Sequence, residues 1–97
     1  MPNMPPDGQR GSALYGAAYR VVFERLAPDH CDVAVWPQFN ARAEVLRKWA
    51  ESQTQLTRQA YELAIDDIVA RAATRVENVR RALVISSVYG TIAKPPV

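Results

Sequence analysis

The sequence predicts an all-α fold, a small domain of two to three helices with one long C-terminal helix, completed by dimerisation. No glycine or proline occurs from Asn40 to Tyr89, and Ala, Leu, Arg, Gln and Glu, which favour helices, dominate this stretch. Apolar residues recur at intervals of three and four, as on one face of an amphipathic helix. With 97 residues, of which 48% are hydrophobic, the chain has room for one core only.

The chain divides into three parts by composition. Residues 1–11 contain three prolines and two glycines and offer little to bury, so they are expected to form a disordered N-terminal arm. Residues 12–90 form the single helical domain. Gly90 is a natural helix stop, and residues 91–97 are expected to form an extended tail.

The first helix is predicted over residues 12–27. Ser12 is a favourable N-cap residue, the apolar positions that follow it have helical spacing, and Pro28 ends the pattern. Residues 28–37 are then expected to form an extended connection or a short strand, because valines alternate there and Pro37 disfavours a helical backbone at the residue before it.

The second predicted helix begins at Asn40, which offers an N-cap. An unbroken helix over residues 41–89 would be about 70 Å long, whereas the radius of gyration of a compact chain of this size is about 12.5 Å. A break within residues 52–55 is favoured, because polar residues cluster there and Thr54 can cap a third helix. The alternative is a continuous rod with a heptad-like apolar seam.

The apolar face of this helical stretch is too wide for one short helix to cover. We therefore expect a second copy of the chain to cover it, which gives a homodimer. Two aromatic residues beside Pro37 are a second expected partner contact, with packing over the helices of the same chain as the alternative. The predicted interface consists of Leu46, Trp49, Leu56, Leu63, Ile68, Val76, Leu83, Trp36 and Phe39.

These features favour a non-enzymatic helical interaction or assembly module that acts through its apolar helix face. The alternative is a small nucleic-acid-associated regulator, since five basic residues and only one acidic residue follow Ala70. Nucleic acid is the less favoured partner, because no aromatic platform or helix-turn-helix spacing accompanies the charge. The arginines that would contact phosphates are Arg71, Arg75, Arg80 and Arg81.

Metal-ligating residue types crowd together only in residues 29–32. Adjacent residues in an extended segment point to opposite sides, so His30 and Cys31 are poorly placed to share a metal ion or to act as base and nucleophile. The sequence therefore predicts no catalytic residue, no metal and no cofactor.

The single cysteine, Cys31, excludes an internal disulfide and suits a reducing compartment. No apolar run approaches the roughly 20 residues that a membrane-spanning helix needs, and the first eleven residues lack the apolar core of a secretion signal. We expect a cytoplasmic protein with no membrane partner.

Overall fold

The computed structural model describes residues 12–27 and 31–93, with side-chain burial up to residue 87. These residues form three α-helices and no strand: α1 (Ala13–Leu26), α2 (Trp36–Ala50) and α3 (Gln55–Ala93). The predicted all-α class, with three helices of which the last is long, is confirmed. The predicted arm and the last four residues of the predicted tail lie outside the described residues.

The start of α1 is capped as the sequence predicts. The Ser12 hydroxyl oxygen accepts a hydrogen bond from the backbone N–H of Tyr15 at 3.0 Å, which satisfies one of the free donors of the first turn. At the other end the Ala27 N–H donates to the Phe23 carbonyl at 2.9 Å, and Ala27 adopts a left-handed backbone (φ 45°) that turns the chain out of the helix.

The second helix begins at Trp36, so the predictions of an extended Trp36 and of an N-cap at Asn40 are wrong. The Asp32 carboxylate accepts hydrogen bonds from the backbone N–H groups two and three residues later, at 2.9 and 3.1 Å, and this turns the chain into the helix. Pro37 lies in the first helical turn, where its missing N–H would have had no helical partner.

The predicted break between the last two helices is confirmed, since α2 ends at Ala50 and α3 begins at Gln55. The Ser52 hydroxyl donates to the Trp49 carbonyl at 2.6 Å, and the Ser52 N–H donates to the same carbonyl at 3.0 Å. A serine side chain that bonds to the preceding backbone in this way competes with helix continuation. The Thr54 carbonyl then accepts the first hydrogen bond of α3, at 2.7 Å.

At 39 residues, α3 is about 58 Å long and continues through Gly90 to Ala93. The prediction that Gly90 stops the helix is therefore wrong by three residues. A glycine inside a helix costs only about 1 kcal/mol relative to alanine, which a long helix tolerates. The helical stretch is thus interrupted between Ala50 and Gln55, and the molecule is nevertheless elongated, with a radius of gyration of 17.8 Å.

The core lies where α1 and α2 pack against the first half of α3. The end of α2 folds onto the start of α3, where the Trp49 and Tyr61 rings meet edge to face at 4.8 Å. Since the start of α1 also lies beside the start of α3, α1 follows α3 in the same direction. The core cluster is Val22, Leu26, Cys31, Phe39, Ala43, Leu46, Ala64, Ile65, Ile68, Ala72 and Val76.

Replacing Ile65 with alanine should destabilise this core. Ile65 is 0% exposed, so Ile65→Ala removes apolar contacts and leaves a cavity, with an expected loss of about 2–5 kcal/mol in the free energy of unfolding. Urea unfolding measures this loss. The matched control is Val45→Ala in α2, where Val45 is 69% exposed and we expect a change within about 0.5 kcal/mol. Equal effects of the two changes would contradict the assigned core.

The start of α2 should depend on the Asp32 side chain. Asp32→Ala removes the acceptor of two backbone hydrogen bonds in the turn before α2 and should cost about 1 kcal/mol, the usual net contribution of a hydrogen bond. Asp32→Asn keeps an oxygen acceptor in the same place and should retain most of that stability. The two variants are compared by urea unfolding, and the same loss in both would contradict a role for these two hydrogen bonds.

Candidate interaction surface at the end of α3

The last part of α3 extends beyond the helices that pack against it. Up to residue 87, where the description of burial ends, Val76 is the last buried residue of α3. Of residues 77–87, which we call the projecting end, all but Val79 are exposed, and Val79 is half-buried. This segment is therefore a helix with almost no tertiary contact in its own chain.

Three consecutive apolar residues are exposed on the projecting end. Leu83, Val84 and Ile85 are 59%, 59% and 54% exposed. Since each residue advances about 100° around a helix, these side chains lie on three different sides. Large apolar residues exposed on several sides of a helix make this segment a candidate interaction site.

One of these residues continues the line of the core. Ala72, Val76, Val79 and Leu83 follow one another at intervals of four, three and four residues, and they lie within about 60° of one another around α3. The first two are buried by the other helices, at 2% and 3% exposure. The continuation of this line beyond Val76 consists of the half-buried Val79 and the exposed Leu83.

Four of the predicted interface residues belong instead to the core of the chain itself. Leu46, Ile68, Val76 and Phe39 are at most 4% exposed in the single chain, so none of them offers a free surface. The face from Leu46 to Val76, which we expected a second copy to cover, is covered by packing among the three helices. Small residues at Ala64 and Ala72 let the helices approach closely enough to do so.

The other predicted interface residues keep some exposure. Trp36, Trp49 and Leu63 are half-buried, and Leu56 is 66% exposed. Leu56 and Leu63 line a groove between the start of α1 and the start of α3, at the end of the molecule opposite to the projecting end.

The aromatic pair predicted to anchor a partner is divided between core and surface. The Trp36 and Phe39 rings stack at 5.4 Å with 14° between their planes. Phe39 is 0% exposed and fills the core, so for this residue the alternative of packing within the same chain is correct. Trp36 forms the half-buried outer layer of the stack.

The four arginines of the nucleic-acid alternative do not form one uniform stripe. Arg71 pairs with Asp67 at 3.1 Å, and Arg80 and Arg81 lie 3.7 and 3.8 Å from Glu77. Of these four arginines, only Arg75 has no ion pair within the described residues. Arg80 and Arg81 lie about 140° and 120° around the helix from Arg75, so one straight phosphate backbone could not contact all four side chains.

Cys31 is 1% exposed and belongs to the core. Burial raises the pKa of its thiol above the ordinary value, and the nearby Asp32 charge raises it further, while Arg75 and Arg42 act in the opposite direction. His30 lies outside the described residues. No group of three or more metal-ligating side chains is found in the part of the chain that the structure describes.

Over the described residues, no helix combines the length and the apolar character required to cross a bilayer. No protein-family model matches this chain, and comparisons with curated proteins and with solved structures find no match.

The Cys31 thiol should make stability fall at high pH. Because its pKa is higher in the folded protein than in the unfolded chain, the stability it contributes is complete below the pKa of an unfolded thiol, near 8.5, and declines as the pH rises above it. We expect urea unfolding to show this decline in the wild type and a weaker decline in Cys31→Ala, which retains every other titratable group. Parallel pH dependence in the two proteins would contradict the assignment.

Proposed function

We propose that this protein is a non-enzymatic helical interaction module that binds a protein partner through the projecting end of α3. The observation that carries the proposal is the exposure of Leu83, Val84 and Ile85 on a helical segment that extends beyond its own core. A partner that covers these side chains removes apolar surface from water, which is the main favourable term in protein association.

The free energy gained by burying the exposed apolar surface of Leu83, Val84 and Ile85 indicates an interaction of moderate strength. Complete burial of an aliphatic side chain contributes about 1.5–3 kcal/mol, and slightly more than half of each of the three side chains is exposed. Covering all three therefore contributes roughly 2.5–5 kcal/mol, before the entropic cost of association is subtracted. Further contacts along the projecting end would be needed for a long-lived complex.

The rest of the molecule supports this role by holding the first half of α3 in place. Arg47 of α2 donates to the Asp66 carboxylate at 2.6 Å, and the Arg25 guanidinium of α1 lies 5.4 Å from the Trp49 ring centre. These contacts, together with the buried core, fix α3 against α1 and α2. A helix already nucleated in this way extends at little further entropic cost, so the projecting end can remain helical without neighbours.

The charge distribution favours a protein partner over nucleic acid. Glu77 lies close to both Arg80 and Arg81, and Asp67 pairs with Arg71, so acidic groups of the same helix offset most of the predicted basic stripe. Phosphate contacts would compete with these pairs. The apolar surface has no comparable partner within the described part of the chain.

Photo-crosslinking in the cells that express the protein tests this proposal. A protein with p-benzoylphenylalanine in place of Val84 should yield a covalent adduct with a protein, which mass spectrometry identifies, because this position is expected to be covered in the complex. The matched control carries the same group in place of Ala70, an exposed residue of α3 within the three-helix body. Equal adduct formation at both positions, or none at either, would contradict a specific role for the projecting end.

A further inference from the structure

We infer that α2 and α3 can join into one continuous helix, and that two copies of the chain then exchange their α1–α2 halves to form a domain-swapped dimer. In this dimer α1 and α2 of each copy pack against α3 of the other, through the contacts that they make within one chain in the structure. The exchange depends on the connection of residues 51–54 and not on the projecting end, so it is independent of the proposed function.

The connection between α2 and α3 contains no residue that requires a non-helical backbone. Glycine, proline or a left-handed residue usually marks the end of a helix. Ala27, which ends α1, has such a left-handed backbone (φ 45°), and among the described residues it is the only one outside glycine with a positive φ. Glu51, which ends α2, keeps a helical backbone (φ −61°, ψ −24°), and residues 51–54 are Glu, Ser, Gln and Thr.

The hydrogen bonds of the connection depart little from those of a helix. The backbone N–H groups of Ser52 and Gln53 each donate to the carbonyl three residues earlier, at 3.0 Å, as in a tight helical turn. The Thr54 hydroxyl donates to the Thr57 hydroxyl at 2.9 Å, a contact between side chains three residues apart that a continuous helix also allows. Helical bonding thus continues to Gln53 and resumes at the Thr54 carbonyl, which accepts from the Arg58 N–H.

The packing of α2 on α3 is what keeps the chain bent. The Trp49 and Tyr61 rings meet at 4.8 Å, and Arg47 donates to the Asp66 carboxylate at 2.6 Å. Neither contact requires that its two members belong to the same chain. A second copy carries the same groups in the same arrangement, so each copy can supply the contacts that the other loses on opening. The exchange is reciprocal, as a two-fold symmetric dimer requires.

The swapped interface is as extensive as the core of the molecule. It places the α1–α2 side of the core, including Phe39 and Leu46, on one chain and the α3 side, including Ile65 and Ile68, on the other. The contacts equal those of two monomers, so the dimer gains only the bonds of the continuous helix and the contacts where the copies meet, and it loses translational freedom. We expect it to form at high protein concentration. Because exchange requires the core to open, the two forms should interconvert slowly.

Refolding the purified full chain from urea at millimolar and at low micromolar concentration tests the exchange. Light scattering after size exclusion should show a dimer from the concentrated sample, still present after dilution, and a monomer from the dilute one. Gln55→Pro should give a monomer from both. Gln55 is the first residue of α3, where proline is well tolerated, whereas within a continuous helix proline removes a hydrogen bond and clashes with the preceding turn. The matched control, Gln55→Ala, suits both forms and should dimerise like the wild type.

A distance within one chain identifies the swap. Spin labels are attached at Arg47→Cys and Asp66→Cys in a Cys31→Ala background, and the labelled chain is refolded with an excess of unlabelled wild type, so that most dimers contain one labelled chain. The two positions are adjacent in the bent chain, but 19 residues of continuous helix hold them about 28 Å apart. Pulsed electron resonance should show this longer separation in the dimer fraction and close labels in the monomer.

Three outcomes would overturn the inference. A wild-type monomer from both refolding concentrations would exclude the exchange. A dimer in which the labels remain close would consist of two bent chains joined by another surface. A Gln55→Pro dimer as abundant as that of the wild type would show that no continuous helix is needed, provided that circular dichroism shows the same helix content in the monomers of both proteins. None of these results alters crosslinking at position 84, so the proposed function would stand or fall separately.

Discussion

The mismatch in length between the helices governs this structure. The first two helices have 14 and 15 residues and run for about 21–23 Å, whereas α3 has 39 residues and runs for about 58 Å. Two short helices placed side by side along α3 cover its first half on the core side and cannot reach its end. Among the residues of α3 whose burial the structure describes, full burial therefore ends at Val76, although the apolar pattern continues, and Leu83, Val84 and Ile85 are exposed.

Features that depend on local chemistry could be predicted from the sequence. Ser12 caps α1, and the polar residues 52–55 interrupt the long helical stretch, because in both places side chains bond to nearby backbone. The start of α2 could not be predicted from Pro37 alone, since a proline is compatible both with an extended segment and with the first turn of a helix. The Asp32 turn and the burial of Phe39 select the second possibility.

The candidate surface was predictable in composition but not in extent. Helical periodicity identifies Val76, Val79 and Leu83 as one line of residues, but not the point along that line at which α1 and α2 end. Val76 is buried, whereas Val79, three positions further along the chain, is half-buried. Val84 and Ile85 were absent from the predicted interface, although the consecutive apolar residues 83–85 already indicated a helix that is apolar on more than one side.

One line of apolar residues thus has two environments in different parts of α3. Covered by α1 and α2, it contributes to the free energy of unfolding; beyond them, it supplies exposed apolar surface, which the proposed function assigns to association. The two are linked, because the projecting end has almost no tertiary contacts of its own and remains helical as an extension of the folded body. Under the proposed function, a partner that binds only the folded chain would stabilise it by mass action.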